Sequence, residues 1–199
     1  MGIPPPHDAA APFFAFLLRS MPYLWGIGLG VAFAGTVLGW DFVTGDSLVV
    51  RQVAGDNAAG LAAFRAYIDD GWRWPILSLP TFGEGGVNIA FSDSIPLLAV
   101  AAKLARPFGV SAESWWGGWF AFAYALQGAG AVFAVRSWGA RALVAQLTAP
   151  VLALLMPVLL LQTVHPSLSA HGLLLVGWGG GGRGGGGGGE NTQPPPPLL

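Results

Sequence analysis

Trp115–Val135 reads WWGGWFAFAYALQGAGAVFAV, and this stretch decides the fold class. It carries no charge, and Tyr124 and Gln127 are its polar interruptions. A bilayer core roughly 30 Å thick needs about 20 apolar residues of helix, so the stretch predicts a membrane span. Composition agrees. The chain of 199 residues is 53% hydrophobic and 10% charged, with a mean hydropathy of +0.58, whereas an ordinary soluble domain is about 25% charged. A net charge of −1 gives no basic surplus to attract nucleic acid. With no cysteine, disulfides and thiolate metal sites are excluded.

Working outward, Met21–Trp40 (MPYLWGIGLGVAFAGTVLGW) is a second uncharged stretch of spanning length, and Ala142–Val164 (ALVAQLTAPVLALLMPVLLLQTV) a third. Pro150 and Pro157 are expected kinks in it, which neighbouring helices must accommodate. Ser94–Phe108 (SIPLLAVAAKLARPF) is weaker. Its apolar core, Ile95–Ala102, is short, and Lys103 and Arg106 would have to snorkel to an interface. It is either a short or tilted span or a re-entrant segment. A partial span starts at Ser169 and breaks off by Trp178. The expected fold is therefore all-α: an integral membrane bundle of four to five spans over residues 21–176, with an outer loop, 41–93, bearing short surface helices.

Residues 1–20 are Pro- and Ala-rich at their start and are expected to be a disordered, cytoplasmic N-terminus. A signal peptide competes, with Arg19 as its basic region and Ala32-Phe33-Ala34 as a cleavage site. Apolar character continuing to Trp40 favours an uncleaved anchor. Residues 177–199, GWGGGGRGGGGGGENTQPPPPLL, have no route to a packed core and are expected to end any helix. A hydrophobic helix cut off after about ten residues reads as an interrupted frame, a span turned into low-complexity sequence.

Arg19 before the first span places the N-terminus in the cytoplasm by the positive-inside rule. Asp41–Ser94 then lies outside, with seven acids, three bases and a net of −4. The later signals conflict: Lys103 with Arg106, and Arg136 with Arg141, all favour the cytoplasm, yet strict alternation cannot satisfy both pairs if Ser94–Phe108 spans. If that segment is re-entrant, Arg136 and Arg141 fall inside, and His165 and His171 outside.

The outer loop carries the chemistry. In VAGDNAAGLAAFRAYIDDGWRWP (Val53–Pro75), Leu61, Phe64 and Ile68 recur with the period of an amphipathic helix at the membrane surface. Asp56 or Asn57 stands where an N-cap belongs, and Gly71 where a helix stops. Trp72 and Trp74 follow as interface anchors. Asp69 and Asp70 sit at the helix end where the macrodipole disfavours anions. Downstream, Asp93 or Ser94 can cap the next helix, with Pro96 in its first turn. The functional alternative is a polar cluster, Asp93 near Asp56, that handles a hydroxylated ligand. His165 and His171 are six apart, not the i,i+4 spacing of two helical metal ligands, so no zinc site is expected. Gln127 and Gln146 are expected to join helices rather than to bind substrate.

Gly55-Asp56, FSDSIPLL (Phe91–Leu98), FAYALQG (Phe122–Gly128) and HPSLSAHGLLL (His165–Leu175) follow one another in a familiar order. Over Gly39–Trp178 the chain resembles the N-terminal part of an uncharacterised family of large bacterial multi-pass membrane proteins. That family in turn is similar to GT-C polyprenyl-phosphate-sugar glycosyltransferases. The resemblance implies an inner-membrane protein that transfers a sugar, a hexose in type, from a lipid-linked donor at the outer face. It implies Asp56 as catalytic base, Arg51, Arg65 and Arg73 as candidates for the donor phosphate, His165 and His171 as aids to acceptor or phosphate, and Asp93 on a sugar hydroxyl or orienting a partner. It leaves room for a divalent metal without naming its ligands. The lipid bilayer and the lipid-linked donor are the expected partners, with no nucleic acid. The competing expectations are a transporter or flippase, which needs polar residues at mid-bilayer, and a truncated, non-catalytic membrane protein.

Overall fold

The computed structural model describes residues 10–46, 50–51, 55–80, 86–92, 95–158 and 165–184. It is mostly helical. In chain order the elements are α1 (Ala10–Leu38), α2 (Trp40–Thr44), α3 (Gly55–Asp69), a two-stranded hairpin of β1 (Ser78–Leu79) and β2 (Val87–Asn88), α4 (Pro96–Ala105), α5 (Ala112–Ser137), α6 (Leu143–Leu154) and α7 (Gly172–Gly184). The strands are antiparallel, with Ser78 opposite Asn88.

Helix α5 is the axle. Its Gly128 lies against Gly26 of α1, and its Tyr124 backbone against Gly30. Its Phe120 ring meets Phe42 of α2 at 5.4 Å. Residue numbers fall along α5 as they rise along α1 and α2, so α5 runs antiparallel to α1. On another side, Gly172 of α7 rests on the Leu126 and Gln127 backbone, and Gly179 on Phe133 and Ala134, so α7 runs parallel to α5. Helix α6 lies beside both long helices. Trp25 Nε1 donates to the Leu147 carbonyl at 3.1 Å, and Gln127 Nε2 to the Ala153 carbonyl at 3.3 Å. Gln146 accepts from Arg136 Nε at 2.8 Å. Both glutamines therefore join helices, as expected.

Two helices are long and apolar enough to cross a membrane, Phe14–Leu38 and Ala112–Ser137. Large apolar side chains such as Leu24, Val144, Leu152 and Leu174 project outward. A shell of that kind suits lipid and not water. The other expected spans change. Ser94–Phe108 becomes the ten-residue α4 followed by a single 3-10 turn, Arg106–Phe108, too short to cross. Ala142–Val164 is not one helix: α6 runs through Pro150 but stops at Leu154. Pro157 disfavours helical backbone at Met156, which accounts for the stop. The N-terminal helix begins at Ala10 rather than Met21. The glycine run, expected to end a helix, instead continues α7 to Gly184. Of those glycines, Gly179 packs on Phe133 and Ala134 of α5, while a Cβ on Gly177, Gly180 or Gly181 would meet nothing within 4 Å.

The best-buried core sits at the loop end of the bundle, where α2, α3 and α4 meet the first half of α5. Phe64, Tyr67, Trp116 and Phe120 are fully buried there. The predicted stripe of α3 faces this core: Leu61, Phe64 and Ile68 are all buried. The helix is thus docked on protein, while Trp72 and Trp74 after it are exposed.

A Cβ on Gly26 would lie 2.6 Å from the Gly128 carbonyl oxygen. Gly128→Leu is expected to lower the thermal midpoint of the detergent-solubilised chain, by overpacking on the order of 1–3 kcal/mol. Gly28→Ala, where nothing lies within 4 Å, should leave the same circular-dichroism melt unchanged.

Candidate functional site

The local geometry starts from two tryptophans one turn apart on α5. Trp116 Nε1 donates to Asn57 Oδ1 at 2.8 Å, a fully buried bond. Trp119 Nε1 donates to the Pro166 carbonyl at 2.8 Å. The first bond fixes the opening turn of α3, and the second the turn that leads into α7. The residues adjacent to the two anchors are Asp56 and His165, and they meet: His165 Nδ1 lies 3.5 Å from Asp56 Oδ2. The Ser169 hydroxyl also donates to the Pro166 carbonyl, at 2.6 Å, and stiffens the histidine's turn.

Asp56 is in the first turn of α3, which begins at Gly55 with φ +64°. A carboxylate there is favoured by the helix dipole. Asn57, the other candidate cap, is turned inward as the buried anchor. The Asp56 side chain is 69% exposed and stands at the lip of a cavity of about 580 Å³. That volume falls in the range of small-molecule sites. The wall is mostly apolar, with Ala63, Leu79 and Ile89 among its members, and Asp56, Ser92, His165 and Ser167 as its polar groups. Asp56 and His165 supply two metal donors, and no third His, Asp or Glu joins them among the described residues.

The remaining expected site residues are elsewhere. Arg65 lies 3.5 Å from Glu113 Oε1, which Arg51 also engages at 3.2 Å. Arg73 holds Asp70 at 2.7 Å. Neither Arg65 nor Arg73 lines the cavity. His171 is outside it as well, with Nδ1 buried and unpartnered beside α5. Asp93 and Ser94, the candidate caps of α4, lie outside the described residues. The residue before that helix is Ile95, at φ +48°, with Pro96 first in the helix as expected.

The acids at the end of α3 have a local answer. Arg106 donates to the carbonyls of Ile68 and Asp69, and Lys103 Nζ to that of Gly71 at 3.0 Å. These cations satisfy the orphan carbonyls and oppose the negative end of the dipole. Lys103 also lies 4.0 Å over the Tyr67 ring and 4.9 Å over Trp72. Burial pushes its ammonium below the usual value, against the pull of Asp70. The hydrogen bond from Arg73 holds the Asp70 carboxyl below its ordinary 3.8.

Residues 27–180 match the family model described as "Domain of unknown function (DUF6311)". The chain belongs to the DUF6311 family. The matched stretch takes in Asp56, Trp116, Trp119 and His165, so both anchors and the pair they align lie inside the DUF6311 domain. No curated protein and no solved structure matches the chain.

The sequence singles out Asp56 and His165, which the structure brings to one cavity, but not the two anchors. The signal for them was the WWGGW run, which places indole donors one helical turn apart.

Asn57→Ala strands the buried Trp116 N–H and is expected to cost about 1–3 kcal/mol in denaturant unfolding. Asp56→Ala at the exposed lip should shift the same curve by less than about 1 kcal/mol, the worth of a carboxylate in a first helical turn. The Asp70–Arg73 pair adds stability that is present above pH 3.8 and is lost as pH falls through the lower folded value. Arg73→Gln should therefore flatten the acid limb of a pH-dependent melt.

Proposed function

We propose that this chain carries the acid site of a membrane glycosyltransferase of the GT-C kind, transferring a sugar from a lipid-linked donor to a hydroxyl at the outer membrane face. The observation that carries this reading is the Asp56–His165 pair, aligned at 3.5 Å by buried tryptophan bonds at the lip of a cleft. In this reading α1 and α5 cross the membrane, α6 and α7 pack beside them, and α4 turns back. Arg19, Arg136 and Arg141 line one cleft at the far end of the bundle. By the positive-inside rule that end faces the cytoplasm, which puts Asp56 outside.

In this reading the Asp56 carboxylate takes the proton of the acceptor hydroxyl as its oxygen attacks the anomeric carbon. The bond to the donor phosphate oxygen breaks, and the imidazole of His165 steadies the departing phosphate. A second, apolar groove of about 520 Å³ runs between Leu98 of α4 and Trp115, Trp119 and Phe122 of α5. Trp119 also anchors the His165 turn, so the groove adjoins the cleft and suits the donor's hydrocarbon chain. Arg65 and Arg73 take no part, since each is committed to a carboxylate.

A positioned base contributes about 10²–10⁴-fold. In proteoliposomes supplied with polyprenyl-phosphate sugars, Asp56→Asn should lose sugar transfer by that factor while keeping the wild-type melt. Undiminished transfer by the variant would overturn the assignment.

A further inference from the structure

The end of the bundle opposite Asp56 holds a cleft of its own, about 280 Å³ in volume. Arg19 of α1, Arg136 of α5 and Arg141 of the α5–α6 turn line it together with Leu18, Met21 and Leu143. No described Asp or Glu lines it, so three guanidinium charges share one concavity without a carboxylate. Elsewhere in the described structure Arg51, Arg65 and Arg73 are all ion-paired. One arginine is built into place: Arg136 donates to Gln146 Oε1 at 2.8 Å and to the Arg19 carbonyl at 2.8 Å, and its guanidinium lies 4.8 Å over the Tyr23 ring. Gln146 is buried, and its amide donates to the Ala140 carbonyl at 3.0 Å, which holds the acceptor for Arg136. Arg19 and Arg141 are exposed, and their side chains make no hydrogen bond or ion pair with the described residues. Leu143 opens α6, whose N-terminus has no side-chain cap, so the unpaired N–H groups of that turn border the same cleft.

The geometry points to a binding site for the phosphodiester of an anionic phospholipid. The phosphate sits among Arg19, Arg136 and Arg141, and the acyl chains run down the outward apolar side chains beside them. A guanidinium fork matches phosphate oxygens in planar, bidentate fashion. Three uncompensated charges at one end of a bundle attract anionic headgroups over zwitterionic ones. Leu18, Met21 and Leu143 would gain nothing from a free phosphate and favour a ligand with a hydrocarbon part. The site rests on the chain lying in a bilayer, but it is independent of sugar transfer at the other end.

The test is native mass spectrometry of the full chain purified from membranes in mild detergent and offered equimolar phosphatidylglycerol and phosphatidylcholine. Preferential retention of phosphatidylglycerol is expected. It should fall about fivefold for each arginine removed in Arg19→Gln and Arg141→Gln, and recover only in part in Arg141→Lys, which restores the charge without the fork. Both residues are exposed, and a circular-dichroism melt in phosphatidylcholine confirms that the variants fold. Equal retention of the two lipids, or retention untouched in the double variant, overturns the site. Displacement of phosphatidylglycerol by millimolar inorganic phosphate alone overturns the lipid as its ligand. Recovery of the chain in the soluble fraction would instead defeat the membrane reading itself.

Discussion

Helices α1 and α5 approach until backbone meets backbone, and the rest of the molecule is arranged around that approach. Gly26 faces Gly128, and Gly30 faces the backbone of Tyr124, with no room for a β-carbon at either crossing. In lipid, burying apolar side chains between helices gains little, because the surroundings are as apolar as the interface. Association depends on close van der Waals contact and a few hydrogen bonds, and small residues permit the contact. Helix α5 repeats the device on its other faces. Gly117 admits the carbonyls of Phe42 and Val43 from α2, and Gly130 admits the start of α7. One helix thereby fixes the azimuth of three neighbours, and with it what packs around the face of α5 that carries Trp116 and Trp119.

That azimuth sets the site. An exposed aspartate on a surface helix and a histidine on a turn have no intrinsic reason to meet across more than a hundred residues. They meet because their chain neighbours, Asn57 and Pro166, are bonded to indoles carried by the same rigid helix. Burying an indole N–H without a partner is costly, so each tryptophan demands an acceptor from the segment it covers. The rigidity lies in the anchors. The pair itself stays at an open lip, where a ligand can reach it.

Much of this was legible in the chain. Uncharged runs of about 20 residues marked α1 and α5, and the period of Leu61, Phe64 and Ile68 marked the buried face of α3. Asp56 and His165 stood out because an ionisable group near a span boundary has few structural excuses. Lys103 and Arg106 misled, because charge counting treats a cation as a statement about the side of the membrane. Here both cations serve the carbonyls at the end of α3, a partner distant in sequence. The extent of α7 misled as well. Glycine is a poor helix former, yet α7 continues to Gly184, with Gly179 the glycine of the run seated on Phe133 and Ala134. Pro157 is preceded by a break rather than a kink, since a proline restrains the residue before it as well as itself.

With Lys103 and Arg106 accounted for, the charges sort by position along the bundle. The described acids of the loop and of α5, Asp41 through Glu113, gather at the end where α2, α3 and α4 pack. Arg19, Arg136 and Arg141 gather at the other. Between the two ends, the long helices carry tyrosine and glutamine as their polar side chains at mid-length, with Gln127 spent on the Ala153 carbonyl. A transporter needs polar or charged groups where its cargo crosses, near the midplane. This chain instead places its described carboxylates and arginines at the two ends of the bundle, with the ionisable His171 beside the middle of α5. That distribution separates the proposed acid site at one end of the bundle from the proposed phospholipid site at the other.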